Sequence, residues 1–389
     1  MKKLAIITSH PIQYNAPLFK LLANRKNISI KVFYTWSQSE FGEKYDPGFG
    51  KKIEWDIPLL EGYEYFFSKN VSKSPGSHHF RGIDNPNLIN EISDCQPNAI
   101  LVYGWSFKSH LKIMRFFKGK IPILFRGDST LLDDKNGIKK ILRRLSLKYI
   151  LSNIDIALYA GEANKKYYEA AGIQSSNLYF MPHSVENVRF GRTEMNIKNA
   201  QGIREKCNIG LEEIVFLFAG KIDENKNIRQ LINIFKSPDV KAHLLIAGTG
   251  VLENELKEIS KSNLDKIHFL GFQNQNAMPS VFNSSNVFIL PSTSETWGLS
   301  INEAMAAGNS ILLSDKCGAA YDLVEENVNG FIFPISNFEI LKEKILYLIN
   351  NKTQVKEMGQ KSCEKIKEYN YLKCVNVIEN IVNNIKNIK

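Results

Sequence analysis

The sequence predicts an α/β protein built as two doubly wound parallel-sheet domains, and three observations predict it. Short β-branched and aromatic runs alternate with helical patterns from end to end, which is how repeated βα units read. At 389 residues the chain exceeds the size at which a single hydrophobic core keeps growing, so two domains are expected. Its 43% hydrophobic and 23% charged residues are those of an ordinary globular protein.

Strands of the first domain are expected at Leu4–Thr8, Ile28–Thr35, Ala99–Tyr103, Ile121–Phe125, Ile154–Tyr159 and Leu178–Met181. Those of the second are expected at Ile214–Ala219, His243–Ala247, Ile267–Leu270, Val287–Leu290 and Ser310–Leu313. Each series can build its own sheet. Residues 187 to 212 are polar and without clear periodicity, which places a linker there. The division is then 1–190, a linker at 191–212, 213–370, and a terminal helix 371–389 that packs back on the first domain. Residues 37 to 98 are rich in Gly, Pro and aromatics, and read either as a functional loop or as a pair of strands hidden by irregular patterning.

Several classes are excluded or disfavoured. No apolar run approaches the ~18 residues of a membrane span, and the N-terminal LAIIT is too short for the h-region of a signal peptide, so it reads as a first strand. Cys95, Cys207, Cys317, Cys363 and Cys374 are odd in number and lack CxxC spacing, which points to a reducing compartment and away from disulfides or structural zinc. The net charge of +10 lies wholly in residues 1 to 190 (27 Lys+Arg against 17 Asp+Glu), and the stretch Lys108 to Lys148 has twelve basic and three acidic residues.

The strongest chemical signal is PSTSETWGLSINEAMAAG, residues 291 to 308. A strand ends at Pro291 and a helix begins near Leu299. The unpaired amides of that first turn, at the positive end of the helix dipole, suit a phosphate, and Gly298 lets a ligand approach the backbone. Glu295 and Glu303, eight residues apart, suit two sets of hydroxyls on one extended ligand; a capping acid and a solvated helix residue fit the spacing equally. In FAGKIDENKNIRQLINIF, residues 218 to 235, Gly220, Lys221 and Lys226 follow a strand's carboxyl end, where doubly wound sheets bind ligands. The two lysines can neutralise a diphosphate, or be plain loop lysines. Gly248-Thr249-Gly250 is a weak nucleotide fingerprint, because Glu253 replaces the third glycine of GxGxxG, and this counts against a nicotinamide enzyme.

In order, G-K-x4-K, G-x-G, FLGF, E-x7-E and NGF resemble the retaining glycosyltransferases of family 4, over essentially the whole C-terminal half. The resemblance implies the GT-B fold, two Rossmann-like domains facing a central cleft. It implies catalytic roles for Lys221 and Lys226 on the donor diphosphate, with Lys221 standing where arginine is common, and for Glu295 on the transferred sugar. It places Glu303 on the ribose, the amides of Gly298, Leu299 and Ser300 on the β-phosphate and sugar, and His268 through Gly271 and Phe272 beside the base. Gly220, Gly248 and Gly250 complete the donor site. The co-substrate implied is a nucleotide diphosphate sugar, a UDP- or GDP-sugar first among them, with no cofactor. With no DxD motif in the chain and two lysines available, metal independence is expected.

The N-terminal half resembles a subgroup of the same family less specifically, in SHPIQYNAPLF, WDIPLLEGY, YGW, LFRGDS and MPHSVENVRF. His10, Gln13, Tyr14 and Trp105 become acceptor-binding candidates, although His10 also reads as a buried strand-end histidine and Trp105 as a core residue. The Gly-Gly common after the first strand and a loop histidine found in many relatives are both absent. Arg126 and Asp128 stand in for that histidine as shapers of the acceptor pocket, or form a surface ion pair. The expected reaction is hexose transfer to a glycan or lipid-linked glycan in cell-surface polysaccharide biosynthesis, on the cytoplasmic side. A nucleotide-sugar epimerase and a silent scaffold are the rival readings.

Gly137–Leu151 places Ile138, Ile141, Leu142, Leu145 and Tyr149 on one helical face and Lys139, Lys140, Arg143 and Arg144 on the other. An anionic membrane surface is the expected partner, against a helix that simply packs inward. Nucleic acid is not expected, since no aromatic residue interleaves Lys135 to Lys148.

Overall fold

The computed structural model describes residues 1–41, 45–46, 51–52, 54–133 and 137–385, without the side chains of 40, 41, 45, 46, 51, 52 and 138–141. The chain forms two compact units: 1–44, 53–183 and 371–389 in the first, and 45–52 and 184–370 in the second.

In chain order the strands are β1 Lys3–Thr8, β2 Ser29–Tyr34, β3 Tyr45–Asp46, β4 Lys51–Lys52, β5 Glu64–Phe67, β6 Ala99–Tyr103, β7 Ile123–Arg126, β8 Ile156–Tyr159 and β9 Leu178–Phe180. They continue as β10 Val215–Ala219, β11 His243–Ala247, β12 Ile267–Gly271, β13 Val287–Leu290, β14 Ser310–Ser314 and β15 Gly330–Phe333. The first unit's sheet runs β5-β2-β1-β6-β7-β8-β9 and the second's runs β12-β11-β10-β13-β14-β15; β3 and β4 pair as a separate antiparallel hairpin. Every pairing within the two large sheets is parallel. Both orders reverse beside the first strand, between β1 and β6 and between β10 and β13, which is the doubly wound arrangement expected.

The central strands are apolar runs because both faces are covered. VFLFA, HLLIA and SILLS of β10, β11 and β14 are buried throughout. Two strands of the large sheets escaped the sequence reading, and both lie at a sheet edge. In β5 (EYFF) three of four residues are exposed, and β15 is a four-residue run starting on a glycine. Residues 42–44, 47–50 and 53 of the irregular segment lie outside the described residues.

Residues 191–212, expected as a linker, hold a helix of the second unit. Thr193 caps a helix, Glu194–Lys206, by accepting from Asn196 N at 3.2 Å. The helix belongs to the second unit and buries only Ala200 and Arg204, so it has no apolar stripe to read. The Arg204 guanidinium instead donates to the carbonyls of Ser284, Gly210 and Glu213 at 3.2, 2.6 and 2.7 Å.

The last helix, Tyr371–Asn384, lays Cys374, Val375, Ile378, Ile381 and Val382 into the first unit's core. Glu379, nearly buried, receives Arg25 Nε at 3.0 Å and Asn27 Nδ2 at 2.9 Å. No described helix is long and apolar enough to cross a membrane.

Candidate functional site

The second unit gathers its candidates at the carboxyl ends of β10, β11, β12 and β13, around the point where strand order reverses. Three loops are tied together there. Gly220 N donates to Ala247 O at 3.0 Å, Ile222 N to Thr249 O at 3.0 Å, and Gly248 N to Gly271 O at 2.8 Å. The approach is close enough to demand glycine: with φ at +145°, a Cβ on Gly248 would stand 1.8 Å from Gly220 O, and one on Gly250 would stand 2.3 Å from Ile222 O. The Gly-x-Gly therefore packs one loop on another. Phe272, half-buried, follows directly after β12. His268 sits earlier on that strand, its ring stacked on His243 with Nε2 3.2 Å from His243 Nδ1.

Lys221 follows Gly220 and is half-buried. Lys226 ends a 3₁₀ turn, Glu224–Lys226, from which Asn227 at φ +55° starts the helix Ile228–Phe235. That helix is anchored by Ile228, Leu231, Ile232 and Phe235, the predicted inward face. Across the reversal point, Asn225 O accepts from Thr293 N at 2.8 Å, which joins the β10 loop to the β13 loop. The Lys226 ammonium lies 2.5 Å from Glu295 Oε2, with the two side chains only 16% and 18% exposed. Glu295 is held by its own backbone, accepting from Gly318 N at 2.9 Å and donating to Lys316 O at 3.1 Å.

Gly298 has φ +90°, and from it the helix Leu299–Ala306 begins. An α-helix provides no internal acceptor for the amides of its first turn, so those of Leu299 and Ser300 face outward along the axis. Glu303 is 2% exposed, so it is not a solvated helix acid. Cys317, unremarkable in the sequence, is buried beside the Lys226–Glu295 pair. Burial pushes its thiol up to about 12, and it donates to Leu290 O at 3.6 Å, a structural thiol rather than a nucleophile.

The first unit places its candidates at the carboxyl ends of β1, β6 and β7. His10 is nearly buried, its Nδ1 2.9 Å from Ser9 Oγ and its ring edge-on to Trp36. Gln13 and Tyr14 lie half-buried in the turn before helix Ala16–Arg25, and Tyr14 O accepts from Tyr371 OH at 3.0 Å. Trp105 is half-buried and packs against the core that contains Phe125 and Tyr168. Arg126 departs from expectation. It is 4% exposed and its guanidinium donates to the main-chain carbonyls of Leu158 and Met181, so it ties strand ends together instead of facing a pocket.

Asp128 does not form a surface ion pair with Arg126 alone. Its Oδ1 is 3.8 Å from Arg126 Nε and 3.1 Å from His183 Nε2. Although its side chain is 52% exposed, desolvation works against the Asp128 charge; His183, then Arg126, outweigh that and hold the carboxyl well below the usual carboxylate range. Burial pushes the His183 imidazole below its ordinary value even so. His183 was missed because its partner is fifty-five positions earlier in the chain, and no local spacing signals the pair.

The order of motifs over β10 to β15 agrees with one family across most of the second unit. Residues 199–372 match the family Glycosyl transferases group 1. The chain is 30% identical over 160 residues to an uncharacterized glycosyltransferase of Methanocaldococcus jannaschii, covering 41% of this chain and 45% of that protein. It is likewise 30% identical over 188 residues to the alpha-monoglucosyldiacylglycerol synthase of Streptococcus pneumoniae, covering 42% of each. Each of these matches spans less than half the length of the relative. Among solved structures, HepE of Anabaena in complex with UDP superposes with a TM-score of 0.73 at 14% identity, over 99% of this chain and 100% of that one. At that identity the likeness is one of fold: two parallel-sheet Rossmann-like domains, the GT-B class, with the group 1 segment supplying the second.

Proposed function

We propose that the chain is a retaining, metal-independent glycosyltransferase that moves a hexose-type sugar from a UDP- or GDP-sugar to a glycan or lipid-linked glycan acceptor. The observation that carries this reading is the junction at the β10/β13 reversal, where Lys226 and Glu295 meet 2.5 Å apart in the same strand-end region as the glycine-led helix start. Breaking the bond between the anomeric carbon and the diphosphate builds negative charge on the leaving group. Lys221, Lys226 and the amides of Leu299 and Ser300 offset that charge as it develops, which lowers the barrier more than tight ground-state binding does. Glu295 orients the transferred sugar, and Glu303 binds the ribose. Two further observations support the donor class: the group 1 match, and the fact that HepE, which shares the fold, was solved with UDP and with UDP-glucose.

The test is turnover. The full chain is incubated with UDP- and GDP-hexoses and a panel of glycan and lipid-linked acceptors, in buffer with and without EDTA. Expected are release of nucleoside diphosphate that EDTA does not suppress, an acceptor-dependent product, and an anomeric configuration matching the donor by NMR. A donor isomer formed without acceptor would assign epimerisation instead, and an inverted product would overturn retention.

A further inference from the structure

The helix Ile138–Leu151 carries two apolar stripes, where a helix packed on one side of a sheet needs one. Leu147 and Leu151 are buried in the first unit's core, with Ile150 packed against it, and they make the inward contact. Leu142, Leu145 and Tyr149, three and four residues apart, form a second row that is 59%, 61% and 64% exposed. The side chains of Ile138 to Ile141 lie outside the described residues. Single exposed leucines are normal on protein surfaces, whereas large apolar side chains aligned in one row mark a contact surface.

The row has a cationic frame. Arg144 and Lys148 are exposed on the same helix. From the helix Lys108–Phe117, the Arg115 guanidinium lies over the Tyr149 ring at 5.4 Å. Beside Arg115, Phe116 is exposed, with Lys120 Nζ 3.7 Å from its ring centre. These residues belong to the stretch from Lys108 to Lys148 with its twelve bases and three acids.

We propose that this face is a docking surface for an anionic phospholipid membrane. Leu142, Leu145 and Tyr149 enter the boundary between headgroups and acyl chains, and Arg115, Lys120, Arg144 and Lys148 extend around them to the lipid phosphates. A second copy of the chain suits the face less well, since two-fold pairing brings the same cations together. A nucleic acid matches the cations but leaves the two leucines unused.

The full chain is sedimented with vesicles of phosphatidylglycerol and phosphatidylcholine in equal parts, and with pure phosphatidylcholine vesicles, at low and high salt. Sedimentation with the anionic vesicles at low salt, lost on the neutral ones and weakened by salt, is expected. L142E/L145E, at exposed positions, keeps the circular dichroism spectrum and weakens binding by at least about ten-fold. R144E/K148E weakens it by about five-fold per residue. Absence of binding to anionic vesicles at low salt, or undiminished binding of L142E/L145E, overturns the proposal. So does a dimer in analytical ultracentrifugation that L142E/L145E abolishes while vesicles remain unbound, which would assign the row to a second copy.

Discussion

The Lys226 ammonium lies 2.5 Å from Glu295 Oε2, so the residue assigned to the leaving diphosphate and the residue assigned to the transferred sugar hold each other. On the proposed reading, an arriving diphosphate competes with the carboxylate for the ammonium and releases Glu295 toward the sugar. Glu295→Gln removes that competitor. It is expected to leave nucleoside diphosphate affinity equal or a few-fold tighter, while transfer falls on the order of 10²-fold. Calorimetric Kd beside kcat checks the split; equal losses in both would assign Glu295 to plain binding.

The two glycine turns fail for different reasons. Gly298→Ala puts a side chain at φ +90° with its Cβ 3.0 Å from Ile301 Cδ1 and 3.3 Å from Glu295 Cγ. It should cost about 1–2 kcal/mol and raise the donor KM through Glu295. Gly248→Ala drives a Cβ into Gly220 O and separates the β10 and β11 loops, which should cost more than about 3 kcal/mol. Thermal unfolding ranks the pair, and a reversed order would contradict this account of the turns.

His110 makes the first unit acid-sensitive. It is fully buried, with Nδ1 2.9 Å from Gly104 O and Nε2 2.9 Å from Thr35 Oγ1, and burial lowers it from 6.5 to about 4 although the backbone carbonyls act the other way. The unfolded chain takes up a proton below 6.5 that the folded unit refuses until about 4. The stability this group contributes is therefore whole above pH 6.5 and is lost as pH falls toward 4, by roughly 3 kcal/mol in all. Urea midpoints measured across that window should fall with pH, and His110→Gln should flatten the slope. An unchanged slope would assign the acid sensitivity elsewhere.

The terminal helix is a structural part of the first unit. A chain ending at Asn370 exposes the sheet face covered by Val375, Ile378, Ile381 and Val382 and leaves Arg25 without Glu379. Such a chain should aggregate or lose cooperative unfolding. A monodisperse, cooperatively folding truncation would show that the helix is dispensable.

What the sequence made legible follows burial. Central strands such as VFLFA and HLLIA announce themselves because both faces are covered, while β5, exposed along most of its length, carries no such pattern. The helix Glu194–Lys206 hid for a related reason: its inward contact is an arginine bonded to carbonyls, which no apolar periodicity reveals. In the second unit each candidate is a short motif at a strand's carboxyl end, legible from its own few residues, and the parallel sheet brings those ends to one side. In the first, Asp128 and His183 meet only through the packing of β7, β8 and β9, and Arg126 reads as a pocket-facing or surface-paired side chain because a strand-end arginine looks the same in sequence whether it points outward or is bonded to carbonyls.

The central claim is that two lysines and the amides after Gly298 form one diphosphate pocket, and calorimetric titration of UDP and GDP tests it most directly. The intact chain should bind at least one of them, and Lys226→Ala and Lys221→Ala should each weaken that binding by about ten-fold or more while folding as the parent does. Equal affinity in the parent and both variants, or no binding of either nucleotide by the parent, would contradict it.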